Sequence, residues 1–270
     1  MPSKIASLAV VTLVLLSGCG GLFDESTPTP TEERSNDARW LAPGLTGDGV
    51  EDASDLLGVH RETLVSQSRT TTRTQTFAAE NGSEIANETV VVRATPNDGP
   101  RLVEADANGP ARQRMTHWNE RSVFWYGANE SEFATLGEFS GHDEPHYTYR
   151  TETPDRFSIS DETYSDRLSS LFTLMNVTVA PETVDNSVHR LEGSTPHLRL
   201  GEERLSNVTF TARVDYSGVV RSYELQYETE RDGMTVRIAE RVRITDIGTT
   251  DVERPAWVET AERERNETTQ

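Results

Sequence analysis

The sequence predicts an α+β fold dominated by an antiparallel sheet, with two or three short helices packed on one face. Three observations carry that prediction. Residues 205–244 alternate apolar and polar positions: Val208, Phe210, Ala212, Val214 and Tyr216, then Tyr223, Leu225 and Tyr227, then Met234, Val236, Ile238, Val242 and Ile244. Ser217-Gly218 and Asp232-Gly233 separate these runs, and period-two alternation with turns this short describes a meander with one face buried and the other wet. Thr-rich strand candidates at 69–78 and 84–95 flank a second kind of hairpin signal, Asn81-Gly82. Finally, 53–66 and 161–174 carry apolar residues at three- and four-residue spacing, the mark of amphipathic helices.

Taken in order, the chain begins with a leader. Lys4 precedes an apolar run over 5–16, IASLAVVTLVLL, too short to cross ~30 Å of hydrocarbon. Residues 1–18 therefore read as a secretory signal peptide, and no twin-arginine pair precedes the run, which favours the general secretory route. The run ends in Leu16-Ser17-Gly18-Cys19, which resembles the lipobox of prokaryotic lipoproteins. That resemblance implies cleavage before Cys19 and a diacylglyceryl thioether on it, and two acyl chains give a stable anchor. Cys19 is the only cysteine, so an exported chain would otherwise carry a thiol with no disulfide partner. Residues 19–50 mix Pro, Thr, Gly and acids without apolar periodicity and are expected to form a flexible acidic tether; Trp40 and Leu41 are the exception, with the character to dock on the domain.

A single domain is expected over 51–260. Asp52 is placed to cap a helix at 53–66, in which Ala53, Leu56, Leu57, His60 and Leu64 share a face. Beyond the two Thr-rich strands, shorter strand candidates lie at 101–107, 112–118, 122–127 and 147–151. The second helix, 161–174, presents Tyr164, Leu168, Leu171, Phe172 and Met175. After the late meander a last helix is expected near Pro255, with Trp257 and Val258 covering an edge, and 261–270 reads as a disordered acidic tail.

Acidic residues number 45 against 26 basic ones, and Lys4 is the only lysine. Cleavage before Cys19 would leave 25 arginines against 45 acids, a formal charge of 25 − 45 = −20. Such a charge repels itself in dilute buffer, and molar salt, with a Debye length of ~3 Å, screens the repulsion. Acid-rich, Thr-rich, lysine-free chains resemble those of haloarchaea. The charge speaks against nucleic acid and against an electrostatic grip on anionic lipid. Asn-x-Ser/Thr sequons at Asn81, Asn87, Asn129, Asn176, Asn207 and Asn266 fit an exported surface protein.

The lipobox, the acidic stalk, a helix carrying His60, the Thr-rich meander and a closing Pro255-x-Trp257 together resemble haloarchaeal surface lipoproteins of uncharacterised function. These are similar in layout to the LolA-like group, which includes mycobacterial lipid-carrier lipoproteins. The resemblance implies a curved half-barrel sheet wrapped around short helices, able to enclose an apolar cavity. On that reading Trp125, Leu168, Phe172, Tyr223 and Leu225 are the candidate lining.

Sharper chemistry is not supported by the residues. His142-Asp143-Glu144-Pro145-His146 offers two imidazoles and two carboxylates, but no cysteine or third histidine stands at zinc spacing, and a solvated acidic loop is the preferred reading. His60, on an apolar helix face, reads as a core histidine satisfied by a hydrogen bond rather than a general base. Gly137-Glu138-Phe139-Ser140-Gly141 has the wrong spacing for a nucleophile elbow, and a P-loop needs a lysine. No catalytic residue, metal or cofactor is assigned. The expectation is a non-enzymatic lipoprotein, membrane-anchored on the extracellular side, that binds or carries a hydrophobic or amphipathic molecule. The alternatives are a structural or protein-interaction module of the cell surface, and a hydrolase without recognisable motif.

Overall fold

The structure, a computed structural model, describes residues 40–139, 142, 144–153, 163–180 and 188–268. The leader and Cys19 lie outside the described residues. The first described residues already depart from the expected tether. Strands β1 (Trp40–Ala42), β2 (Leu45–Thr46) and β3 (Gly49–Val50) form a small antiparallel sheet, with Leu45 fully buried. The physical reason is close packing without a run of apolar residues. Gly49 adopts φ +143°, and a Cβ there would lie 2.2 Å from the carbonyl oxygen of Val177, so only glycine lets this segment seat so closely.

Helix α1 (Ala53–Ser66) starts where Asp52 accepts hydrogen bonds from the N–H groups of Ser54 and Asp55. There follow β4 (Arg69–Ala79), β5 (Glu84–Ala94), β6 (Arg101–Asn108), a helical turn α2 (Arg112–Met115), β7 (Arg121–Tyr126), β8 (Phe133–Glu138) and β9 (His146–Arg150). Helix α3 (Ser165–Leu174) leads to β10 (Val177–Val179), then β11 (Val188–Leu200), β12 (Glu203–Asp215), β13 (Val220–Arg231), β14 (Met234–Thr245) and helix α4 (Trp257–Thr268). Eleven strands pair in the order β10-β11-β12-β13-β14-β4-β5-β6-β7-β8-β9, every pair antiparallel. The two edges do not meet, so the sheet is large, curved and unclosed. Register shifts at Ser206/Thr209 and Arg213/Val214 in the β12–β13 ladder, and at Phe77/Ala78 in β4–β5, are bulges of the kind that bend strands.

Register fixes the two faces, because residues opposite one another on neighbouring strands point the same way. On the inner face Phe210, Leu225, Glu240, Gln75 and Glu88 lie in one lateral row. Helices α1 and α3 pack over its β10–β14 half, burying Leu56, Leu64, Leu168 and Leu171. Phe172 meets Phe210 edge-on at 5.9 Å between centroids, and Phe210 meets Tyr223 at 6.1 Å. Helix α4 takes the opposite face, where Val258 and Ala261 pack on Trp125 and Ala134, and Trp257 stacks on Tyr147 at 6.4 Å. The helices thus cover both faces rather than one. The alternate parity of β7–β9 carries its own apolar patch, and that patch needed a cover. The same helix runs through most of the segment expected to be a disordered tail.

One further expectation is corrected, and one strand was not expected. Residues 112–118 form no strand: Gly109 turns the chain at φ +105°, the Ala111 N–H donates to the Ile85 carbonyl, and the good helix formers Arg112-Gln113-Arg114-Met115 make one turn. The long β11 was not anticipated because Pro196 interrupts it. It is tolerated since β10 pairs only with residues 191–193, leaving the Pro196 end of β11 as a sheet edge.

Candidate functional site

The inner face, mostly apolar under α1 and α3, carries a charged band beside them. Strand β4 presents Thr71, Arg73, Gln75 and Phe77 to it, because Ile244, Val242, Glu240 and Ile238 stand opposite on β14. Gln75 is flanked by Glu240 on one side and Glu88 on β5 on the other. Both carboxylates are buried, Glu240 at 1% exposure and Glu88 at 4%. A buried charge survives only if paired and hydrogen-bonded, and each is.

Glu240 is saturated. Its Oε1 accepts from the Tyr223 hydroxyl at 2.7 Å and from Arg167 Nε at 2.8 Å. Its Oε2 accepts from Arg167 Nη2 at 3.2 Å and from the Gln75 side-chain amide. Arg167 reaches down from α3, so this cluster ties helix to sheet. Burial alone would lower the Arg167 guanidinium, but the Glu240 charge outweighs it and holds Arg167 above its ordinary value. Burial, reinforced by the same carboxylate, raises the Tyr223 phenol well above its usual value. Glu88 accepts from Arg73 Nη2 at 2.6 Å; burial raises its carboxyl above the ordinary glutamate value, with Arg73 opposing.

Above this band opens a cleft of about 290 Å³. Met115 and Trp118 from the segment after β6, Tyr164 beside α3 and Tyr227 on β13 give it apolar walls. Arg73, Arg167 and Arg231, with Glu88, Glu203 and Glu240, give it a charged end, beside the His117 imidazole. Arg231 is held by its bonds to the Met115 carbonyl (3.0 Å) and Glu203 (3.2 Å) and lies 5.5 Å over the Phe77 ring. Among the described residues, the buried Arg73 Nε of this lining has no hydrogen-bond partner, nor has Thr71 Oγ1, which lies on β4 outside the lining. Trp118 continues into a second apolar cluster, 5.6 Å edge-on to Phe124 and beside Val90, Val92 and Val103. The site is therefore amphipathic: paired arginines and glutamates at one end, aromatic and aliphatic surface leading away.

The structure brings together four of the five residues named from sequence as a cavity lining and separates the fifth. Leu168, Phe172, Tyr223 and Leu225 lie on the inner face within the main core. Trp125 is on the opposite face, where its indole N–H donates to Glu132 at 2.7 Å under α4. Leu168, Phe172 and Leu225 do not line the cleft; Tyr223 contributes through its hydroxyl to Glu240 beneath it. His60 is fully buried: one ring nitrogen contacts the Thr163 carbonyl oxygen at 2.9 Å and the other accepts from the Val220 N–H at 3.2 Å. It is a core histidine clamping α1 to its surroundings. His146 begins β9 and Asp143 lies outside the described residues; among the described residues no group of three His, Cys, Asp or Glu side chains is placed to hold a metal. Of the sequons, Asn81, Asn129, Asn176, Asn207 and Asn266 are exposed, and Asn87 is half-buried on β5.

The cleft residues Glu88, Glu240, Arg73 and Arg167 were not singled out from sequence. The available signal was a break in alternation. Glu240 occupies the apolar parity of Val236, Ile238, Val242 and Ile244, and Glu88 that of Ala86, Val90 and Val92. A charged residue at a core-facing position is informative where an exposed one is not.

Among solved structures, the chain is similar to a DUF1329 family protein from Desulfovibrio piger, at 12% identity over 78% of this chain and 97% of that one, with a TM-score of 0.29. It is also similar to MucB in complex with MucA(peri), at 11% identity over 78% and 96%, with a TM-score of 0.15. No curated protein sequence matches it. Residues 4–261 match the model of a family of unknown function, DUF7537, and the chain belongs to that family.

Proposed function

We propose that this protein is a lipid-anchored, non-enzymatic protein of the outer cell surface that binds a small amphipathic molecule in its inner-face cleft. The observation that carries the reading is the cleft itself, whose end of paired arginines and glutamates passes directly into aromatic and aliphatic surface. Ligand sites combine apolar walls with a few fixed polar groups, and about 290 Å³ suits a polar head with the start of an apolar tail rather than a whole lipid. Burial of the carboxylates supports a binding role over a hydrolytic one. Both oxygens of Glu240 are engaged by fixed donors, and Glu88 is paired with Arg73, so both carboxylates serve to hold the sheet and α3 together. The leader, the lipobox at Cys19 and the exposed sequons support the surface location, on the outer side of a membrane.

The test is extraction with organic solvent of protein purified from its own cells in molar salt, followed by mass spectrometry. The reading expects a stoichiometric amphipathic compound from wild type and less of it from Trp118→Ala. Protein that yields none, and that takes up none when incubated with membrane extract, would overturn it. For the anchor, Cys19→Ser is expected to move the protein from the detergent phase to the aqueous phase or to leave it unprocessed; aqueous partitioning of wild type would refute the anchor alone.

A further inference from the structure

The opposite face of the same sheet carries a second feature, independent of the cleft. Register places Arg190 on β11, Arg213 on β12, Ser222 on β13 and Arg243 on β14 in one lateral row. Arg241 stands in the next row beside Glu224, and Arg221 lies at the bulge beside Arg213. Together they wall an open trough of about 710 Å³ whose remaining lining includes Thr211 and Thr245. Three of the arginines are matched: Arg190 with Glu192 at 2.7 Å, Arg221 with Asp215 at 2.6 Å, Arg241 with Glu224 at 3.0 Å. Arg213 and Arg243 are exposed and form no salt bridge with any described residue; Glu224, held low first by its hydrogen bond from Arg241, also feels the Arg243 charge. In a chain of 45 acids against 26 bases, two exposed guanidinium groups flanking one serine, neither in a salt bridge with a described residue, are conspicuous.

We infer that this trough binds an acidic polysaccharide, with Arg213 and Arg243 clamping an acid group of the polymer over Ser222. Four features of the site select that occupant. A guanidinium fork engages carboxylate or sulfate with two parallel donors and is weakly hydrated, so the contact does not depend on long-range attraction, which the acidic chain would oppose. Neighbouring strands are ~4.8 Å apart, close to the length of one pyranose residue, so a polymer crossing the strands meets one strand per sugar. The floor is hydroxyl-rich, with Thr211, Ser222 and Thr245, and suits a polyhydroxyl ligand. Protein interfaces centre instead on buried aromatic anchors, and the exposed side chains of this trough include none.

The experiment is retention of the purified full chain, in molar salt, on polygalacturonate and dextran sulfate, with neutral dextran and polyglutamate as comparators. Wild type is expected to be retained on an acidic polysaccharide and not on dextran, with polyglutamate at least tenfold weaker. Arg213→Gln/Arg243→Gln should lose retention at least tenfold, and Arg213→Lys/Arg243→Lys should lose most of it, since lysine keeps the charge and drops the fork. Arg237→Gln, on the same face but paired with Glu228 at 2.9 Å, should bind like wild type. Circular dichroism in the same salt confirms that each variant is folded. Retention of the double variants at wild-type level, equal retention on polyglutamate, or no retention on either acidic polysaccharide would each overturn the assignment.

Discussion

At the scale of single residues, the inner-face charges are the feature with the largest energetic stakes. Glu240 is almost wholly buried and holds Arg167, Tyr223 and Gln75. Removing one partner of a buried pair leaves the other charge uncompensated, at a cost of about 3–5 kcal/mol, whereas replacing both by apolar residues is often neutral. Glu240→Leu is therefore expected to destabilise by that amount in denaturant melts, and Glu240→Leu/Arg167→Leu to recover most of it. Glu88 makes the opposite statement in pH. Its carboxyl is raised by burial, so the folded state holds a proton longer than the unfolded state does. Its contribution to stability is then most favourable at low pH and declines as pH rises from the ordinary glutamate value towards the raised one. The melting temperature of wild type relative to Glu88→Gln should accordingly increase on acidification from neutral pH towards that ordinary value; a difference that stays flat would mean that the carboxyl is not perturbed. Of these residues, Glu240, Arg167, Gln75 and Glu88 did not stand out in the sequence. A charge at a core parity position is visible only once the register of the strands is known, and register is a long-range property.

At the scale of elements, what the sequence made legible was local. The helix at 53–66 was read to the residue because Asp52 caps it and its apolar spacing is regular. The late meander was read because Ser217-Gly218 and Asp232-Gly233 are local turn signals; the structure gives Gly218 φ +91° and Gly233 φ +74°. What was not legible depends on partners distant in sequence: β8 and β10 are short, β11 carries a proline, and α4 on the far face is held by Trp125 and Ala134. The β12–β13 turn shows how much one residue can carry. Burial would raise the Asp215 carboxyl, but bonds from Ser217, the Val219 N–H and Arg221 outweigh it and hold the group below its ordinary value. Asp215→Ala is expected to cost about 1–3 kcal/mol for the donors it strands. A group with a depressed folded value contributes stability above the ordinary aspartate range and loses it as pH falls through the folded value. The difference between wild type and Asp215→Ala should shrink below that range, which acid titration of the two melting temperatures would show.

At the scale of the whole molecule, an eleven-stranded open sheet presents two chemically different faces, one amphipathic and sheltered, the other bearing arginines. The acid excess bears on the molecule as a whole. With 45 acids against 26 bases, carboxylate repulsion should lower the melting temperature as salt falls from molar to millimolar, since the Debye length grows from ~3 Å to tens of ångströms. An unchanged melting temperature would mean that ion pairs such as Arg254–Glu132 and Arg237–Glu228 already neutralise the surface locally. The fold class was legible because the alternation is strong. The proposed site was less so: Leu168, Phe172, Tyr223 and Leu225 lie on the inner face and Trp125 on the other, while the proposed cleft lies beside the first four, along a charged band that the pattern of apolar residues could not reveal. The central claim is that this cleft binds an amphipathic molecule, and titration of a fluorescent acyl probe in molar salt tests it most directly. Wild type should bind saturably at one site, Trp118→Ala at least tenfold more weakly with its melting temperature little changed, and Phe172→Ala, a core ring packed on Phe210, with affinity retained despite lower stability. Probe binding that survives Trp118→Ala but is lost in Phe172→Ala would place the ligand under α3 and contradict the account, as would no saturable binding to wild type.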